Sequence, residues 1–396
     1  MPTSIANNVW WVGARHEKLR VFDIVMQTSH GTTYNAYLVK GEHKTALIDC
    51  VKRGFEAQLL DALQQLTDIA KLDYVVVNHS EPDHSGALSI ILDEAKDAEV
   101  VGTRVGLGFV SELLNRDFKR VMVKNGDSIE LGGKTLRFLE TPFLHWPDTM
   151  MTYVVEEGVL LSCDAFGCHF AEGGVFDDEA GICLDDAQKY YFDVIISPYK
   201  KYARDMLEKT SPLDIRAIGP SHGPVYRADP RAIMAKYASW AEEYEPNEKP
   251  TLLIAYVSSY GFTKALANAV ERGAKDIPGV NVTMLDIAQL SPAQAAATCE
   301  LADALAIGSP TFNRDVLPPV YAMLGALSPL RSAKKPAACF GDFGWSGEAV
   351  ALMEARLEKI GYKLMPGMRA RLNPTAEALE QARLMGEALA REIAGA

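Results

Sequence analysis

Two kinds of hydrophobic patterning divide the chain. From residue 251 onward, short apolar runs bounded by glycine or polar residues alternate with longer amphipathic stretches. TLLIAYV, VTMLDI, ADALAIG, KPAACFG and a weaker KLMPGMRARL read as strands, and the stretches after FTKA, SPAQ, LPPV, GEAV and TAEA as helices. Five βα units predict an α/β, doubly wound parallel sheet. A helical-hairpin repeat is the rival, disfavoured because the apolar runs are short, aliphatic and glycine-bounded. The first half differs. LRVFDIVMQT, TTYNAYLVK and KTALIDC read as antiparallel strands joined by short turns. DYVVVNH, TLRFLETP, GVLLSCDAF and IRAIGPSHG read as strands that each end in a polar residue, and the mixture of strands and intervening helices suggests an αββα sandwich. Between the halves lies YEPNEKPT, residues 244–251, polar and carrying two prolines, preceded by the helix-like PRAIMAKYASWAEEY. The predicted domains are 1–248 and 249–396.

Composition agrees with two domains. At 396 residues the chain exceeds what one hydrophobic core usually covers. A formal net charge of −12 argues against nucleic acid as a partner, since phosphates need basic patches. No apolar run reaches membrane-span length, and MPTSIANNVWWVG lacks the order of a signal peptide. A cytoplasmic protein without a membrane partner is expected. None of the six cysteines forms a CxxC pair, so free, mostly buried thiols are expected and the usual zinc-knuckle, rubredoxin and thioredoxin arrangements are excluded.

The densest chemistry is His79-Ser80-Glu81-Pro82-Asp83-His84, directly after the strand LDYVVV. A solvated polar loop seldom interleaves two histidines and two carboxylates with a proline, so metal ligation is the favoured reading. In an extended stretch His79, Glu81 and Asp83 would point to one side, and Asp83 and His84 would start the helix SGALSIILDEA. Asp83 alone would also suit a helix N-terminus. His145 in HWPDT, Asp164 in CDAFG and His222 in SHGP each follow a strand, so all three could converge with the first group on one sheet edge. Four histidines and three carboxylates exceed one tetrahedral site and suit two metals sharing a bridging carboxylate. His169 and His30 are possible neighbours of this site; His16 and His43 read as surface residues.

Three loops in the second half suit a flat phosphorylated ligand. Ser258-Ser259-Tyr260-Gly261-Phe262-Thr263 joins the first strand to its helix, where backbone N–H groups and hydroxyls can cradle a phosphate without a cation. This loop contains neither G-K-[ST] nor GxGxxG, which removes the nucleotide P-loop and the dinucleotide fingerprint. Ser309-Pro310-Thr311-Phe312-Asn313 follows the third strand and Gly344-Trp345-Ser346-Gly347 the fourth, at the strand ends where open α/β sheets bind ligands. Trp345 and Phe312 have plain packing as their alternative; the three loops together favour FMN.

Residues 1–245 resemble the metallo-β-lactamase fold, whose hallmark HxHxDH loop is followed by later His, Asp and His ligands. Here the second His of the hallmark is Glu81. A hard oxygen ligand favours iron over zinc, and iron, unlike zinc, does redox chemistry. Residues 250–396 resemble flavodoxin. The joint order resembles the flavodiiron proteins, or A-type flavoproteins, along nearly the whole chain. That resemblance implies that His79, Glu81 and His145 hold one iron, Asp83, His84 and His222 the other, and that Asp164 bridges them. His84 is displaced by water in some members. It implies no catalytic residue beyond the di-iron centre, and electron flow from a small carrier through FMN to iron, reducing O₂ to water or NO to nitrous oxide. It further implies a head-to-tail homodimer, or a dimer of such dimers, and a separate donor, rubredoxin-like or a reduced deazaflavin, because no rubredoxin or flavin-reductase extension follows the flavodoxin region. Asp342 stands where small polar residues are common in the family. The rivals are a metal-dependent hydrolase fused to a flavodoxin-like module, and a non-catalytic FMN electron carrier or gas sensor.

Overall fold

The computed structural model describes residues 1–24, 26–242 and 247–395. The chain forms two compact units, Met1–Glu243 and Tyr244–Ala396. The start of the expected linker, residues 244–246, lies outside the described residues, as does the end of the helix-like stretch before it, whose described part includes the helix Pro230–Ala241.

In the first unit, seven strands form one sheet in the order Thr3–Ala6, Val9–Trp11, Tyr37–Lys40, Thr45–Ile48, Tyr74–Val76, Glu99–Gly102, Arg120–Met122. The first three pairings are antiparallel and the last three parallel. Five strands form the second sheet: Ser128–Glu130, Thr135–Glu140, Met150–Val154, Val159–Cys163 and Ala217–Pro220. Side chains alternate across each strand. Val39, Ile48, Val76 and Val101 face inward and meet Phe138, Met150, Val154 and Leu161 of the other sheet in one buried cluster. Their neighbours Leu38, Leu47, Val75 and Val100 face outward and bury Leu59, Leu63, Ile91 and Val110 of the flanking helices. Met151, Leu160 and Ile218 do the same with Tyr191, Phe192, Met206 and Tyr237. The result is the αββα sandwich expected from the strand pattern.

Two predicted strands are not continuous. TTYNAYLVK breaks into Thr32–Tyr34 and Tyr37–Lys40, which belong to different sheets. The interrupting Asn35 is fully committed elsewhere: its amide donates to the carbonyls of Pro220 (2.7 Å) and Gly223 (2.9 Å) and accepts from the Trp11 indole (2.7 Å). LRVFDIVMQT is not one strand but a hairpin of Val21–Phe22 with Met26–Gln27. It turns through Asp23 and Ile24, both at positive φ.

In the second unit the parallel strands lie in the order Asn281–Asp286, Thr251–Tyr256, Ala304–Gly308, Pro336–Phe343, and last the short Lys363–Leu364 and Met368–Arg371. This is the 2-1-3-4-5 order of flavodoxin-like sheets. The weak fifth run is two short strands, both paired to Pro336–Phe343, rather than one. Helices cover both faces, with Leu253, Leu305 and Cys339 on one side and Ile254, Ala306 and Phe340 on the other. Five of the six cysteines are buried and all are free. Among the described residues no helix is long and apolar enough to cross a membrane.

The helices Phe262–Lys275 and Ala376–Ala394 approach through two glycines. A Cβ on Gly386 would overlap the Val270 carbonyl, and one on Gly273 the Arg383 carbonyl. Gly386→Ala is therefore expected to lower the unfolding free energy of this unit by about 1–3 kcal/mol, the usual cost of overpacking. Urea unfolding followed by circular dichroism measures it; an unchanged midpoint would show that the helices have room to part.

Candidate metal centre and flavin edge

The seven candidate ligands of the first unit meet at the carboxyl ends of its strands. They fall into two groups, His79, Glu81, His145 and Asp164, and Asp83, His84 and His222; within each group one ligand atom per residue lies within 4.8 Å of the others. Glu81 Oε2 is 3.1 Å from both His79 Nε2 and His145 Nε2. Asp83 Oδ2 is 3.1 Å from His222 Nε2, and its Oδ1 is 3.3 Å from His84 Nε2. Asp164 lies between the groups. Its Oδ2 faces His79 Nε2 (3.7 Å) and His145 Nε2 (3.6 Å), whereas its Oδ1 faces His84 Nε2 (3.2 Å) and His222 Nε2 (3.7 Å).

The expected one-sided alternation of His79, Glu81 and Asp83 does not occur. Glu81 is extended, but Pro82 opens the helical turn Pro82–Ser85, and helix formation resumes only at Leu88–Glu94. That turn rotates Asp83 and His84 away from Glu81 into the second group, so one short segment feeds both.

Hydrogen bonds aim the imidazoles. Asp148 Oδ2 accepts from Ser80 N (2.8 Å) and Ser80 Oγ (2.7 Å) and lies 3.1 Å from His79 Nδ1. With Nδ1–H donating to this carboxylate, the Nε2 lone pair of His79 is directed into the cluster. His222 Nδ1 donates to the Thr33 carbonyl at 2.6 Å, with the same effect. Asn78, fully buried beside His79, ties the two sheets together: its N–H and amide donate to Asp49, and its side-chain oxygen accepts from Thr152. Tyr191 donates to Asp164 Oδ1 at 3.1 Å. None of Asp148, Asn78, Thr33 or Tyr191 was legible as part of the site. The one usable signal was the rule that a ligating histidine gives its other nitrogen to a carboxylate or carbonyl, and Asp148 stands three residues after His145.

His169 is buried against Phe22 of the hairpin, rings 4.4 Å apart, with Nδ1 2.9 Å from Thr32 Oγ1. Burial and the neighbouring His222 hold it neutral, at about 3. His30 turns to Glu172 (3.0 Å) and belongs to neither group. His43 is exposed as expected, but His16 is half-buried against Phe55 and Tyr34.

The donor set fits metal ions. His79, Asp83, His84, Asp164 and His222 are all buried, while Glu81 and His145 keep about a fifth of their side chains accessible, at 19% and 20%. Asp83 Oδ1, His84 Nε2 and Asp164 Oδ2 have no hydrogen-bond partner, a costly state for buried polar atoms unless a cation takes them. Burial alone would lower the His84 pKa; Asp83 and Asp164 overcome it and raise the group to about 9. Burial would likewise raise Asp164, but His84, His79 and His145 hold it well below the ordinary carboxylate range.

In the second unit the three loops lie at one edge, the carboxyl ends of the adjacent strands Thr251–Tyr256, Ala304–Gly308 and Pro336–Phe343. Each exposes one aromatic ring: Tyr260 86%, Phe312 61%, Trp345 77%. Three exposed rings on one edge are an unusual apolar surface for a folded protein, of the kind a ligand would cover. Gly261 takes φ +85°, which favours glycine, and precedes a helix whose N-terminus has no capping side chain. Ser258 Oγ accepts from Lys264 N, Ser259 is exposed, Phe262 is half-buried, and the Thr263 hydroxyl is buried on Asp342. Ser309 is turned inward, accepting from Leu317 N and donating to the Pro310 carbonyl, and Thr311 accepts from Ala349 N. Pro310 is buried behind it, and Asn313 is exposed at positive φ. Gly344 and Gly347 are pinned through their carbonyls by Arg371 and Arg369, with Ser346 half-buried between them.

Comparison with known proteins matches both units. The model of the ODP family beta lactamase matches residues 32–223, and that of flavodoxin residues 254–386. The type A flavoprotein fprA of Rhodobacter capsulatus is 39% identical, over 100% of this chain and 92% of that protein. A nitric oxide reductase of Moorella thermoacetica is 37% identical, over 99% of both. The structure of rubredoxin oxygen:oxidoreductase from Desulfovibrio gigas superposes with a TM-score of 0.73 at 30% identity, covering 100% of this chain and 99% of that one.

Two outcomes follow from the metal centre. Asp148→Ala is expected to weaken iron binding by about 10–100-fold, measured as iron retained per chain at limiting iron, with Ser80→Ala, which loses only one of the bonds to Asp148, as the near-neutral control. The second concerns pH. The folded His84 value of about 9 exceeds its ordinary 6.5, so its pairing stabilises fully below pH 6.5 and is lost as pH rises through 9. The metal-stripped chain should show a falling thermal midpoint across that window. The loaded chain should lose far less there, because ligation already requires neutral imidazoles.

Proposed function

The chain belongs to the flavodiiron, or type A flavoprotein, family, and on that premise we propose that it is an oxidoreductase that takes electrons through FMN in the second unit to a non-haem di-iron centre in the first and reduces O₂ to water, NO to nitrous oxide, or both. The observation that carries the proposal is Asp164, whose two oxygens face two different groups of three other ligands.

We assign His79, Glu81 and His145 to one iron, Asp83, His84 and His222 to the other, and Asp164 to both. His84 is included because its Nε2 is turned between Asp83 and Asp164 and is otherwise without a partner. When bound, the irons and FMN supply the electrons and the Lewis acidity of the reaction. The protein's own part is positional. Asp148 and the Thr33 carbonyl fix the two imidazoles at opposite ends of the site, and Tyr191 holds Asp164. Phe22, stacked on His169 and edge-on to His222 at 5.3 Å, makes that side of the site dry, whereas the Glu81–His145 side is more open to a small uncharged gas. For FMN, the loop 258–263 would take the phosphate on backbone N–H groups and hydroxyls, and the loops 309–313 and 344–347 would flank the ring system with Phe312 and Trp345.

The donor we propose is a small redox protein of rubredoxin type, with reduced deazaflavin as the alternative; the name of the Desulfovibrio gigas relative supports the first. Both gases are kept as substrates because that relative is named for oxygen and the Moorella thermoacetica one for nitric oxide. A head-to-tail homodimer, alone or paired into a dimer of dimers, and a cytoplasmic location complete the proposal.

The test is anaerobic reduction of the iron- and FMN-loaded chain followed by parallel O₂ and NO consumption. Asp164→Ala and His79→Ala should each lower turnover by about a hundredfold or more, through loss of the metal centre. Full turnover in both variants would refute the assignment, and two tightly held zinc ions with hydrolytic activity would favour the hydrolase reading instead.

A further inference from the structure

The phosphate loop is bound by an acidic side chain from a neighbouring strand where its chemistry calls for none. Thr263, the second residue of the helix Phe262–Lys275, is fully buried, and its hydroxyl donates a hydrogen bond to Asp342 Oδ1. Asp342 stands near the carboxyl end of Pro336–Phe343, the strand whose following loop exposes Trp345. It is half-buried; burial raises its carboxyl pKa, and the hydrogen bond from Thr263 works against that rise.

A threonine hydroxyl has a single proton to give. Spent on Asp342, it is not available to a phosphate oxygen. A carboxylate at this position also sets a negative charge beside a helix N-terminus that would otherwise favour an anion through its dipole. The remaining phosphate donors are backbone N–H groups of the loop and the hydroxyls of Ser258 and Ser259, since Lys264 N is already given to Ser258 Oγ. Of the loop's side-chain hydroxyls, Thr263 alone is wholly buried and tied to an acid.

We infer that Asp342 sets the affinity for the phosphate end of FMN: its carboxylate withholds the Thr263 hydroxyl and opposes the phosphate charge, so the chain holds FMN more weakly than its loop could and discriminates less against riboflavin. The inference rests on the proposal that this unit binds FMN. It differs from a purely structural role, in which Asp342 merely ties the helix to the sheet and its removal would weaken both flavins together.

The experiment uses the full-length chain stripped of flavin, titrated with FMN and with riboflavin by fluorescence quenching. Asp342→Ser is expected to tighten FMN by about tenfold or more, the scale of one hydrogen bond to a charged group, and to leave riboflavin unchanged. Adding Thr263→Val to Asp342→Ser should cut the gain to the part that comes from the lost charge. Asp342→Asn, which keeps an acceptor for Thr263 but removes the charge, should give a smaller gain. Circular dichroism confirms that each variant is folded. Equal or weaker FMN binding in both Asp342 variants, or an equal gain for riboflavin, overturns the inference. If the wild-type chain and every variant bind neither flavin, the FMN proposal itself falls, a result distinct from either of these.

Discussion

Two oxygens of one buried carboxylate, Asp164, point at two different pairs of imidazoles, and the first unit is organised around that opposition. Burying three carboxylates and four histidines in one place is expensive unless positive charge is supplied between them. Without metal, the imidazoles must supply it, which is why His79 and His84 are driven above their ordinary pKa against the pull of burial. With metal, the same groups serve as neutral donors. The strands bring the ligands to this point by ending there: Tyr74–Val76 before His79, Val159–Cys163 before Asp164, Ala217–Pro220 before His222. Asn78 bolts the two sheets together directly behind His79, so inter-sheet register and ligand geometry are one constraint.

Much of this was legible in the sequence, for a physical reason. Ligands at strand ends leave a signature, a polar residue closing an apolar run, and His79, Asp164 and His222 all carry it. The parallel sheet of the second unit was equally visible because strands buried on both faces read as continuous apolar runs. What failed was whatever depends on a turn the side chains do not announce. Asp23-Ile24 is a poor hairpin signal beside Asn-Gly or Asp-Gly, so the hairpin that puts Phe22 over His169 read as a strand. Asn35 breaks a strand because three distant groups need its amide, and no local pattern encodes that. Pro82 was read only as a residue interleaved among the ligands, whereas at the first position of a helical turn it sorts Glu81 and Asp83 to different groups.

The residues that aim the ligands were the least legible of all. Asp148 and Tyr191 are ordinary residues of the chain until folding places them, and their value lies in distances that spacing does not contain. The flavin edge shows the converse. Tyr260, Phe312 and Trp345 stand out because the fold leaves them exposed, which removes the packing alternative for Phe312 and Trp345.

Both units use a carboxylate to hold a donor at a strand end, with opposite consequences that follow from proton counts. An imidazole has two nitrogens. When Asp148 accepts a hydrogen bond from His79 Nδ1–H, the ring is oriented and Nε2 is left with a lone pair for a metal, so the acid strengthens the site. A hydroxyl has one proton. When that proton is committed in a hydrogen bond to Asp342, the Thr263 oxygen has nothing left to donate, and the acid's own charge faces the same helix terminus that would receive a phosphate. The same pairing of acid and donor therefore builds a cation site in one unit and restrains an anion site in the other. What decides between them is the chemistry of the group being held, not the presence of the acid.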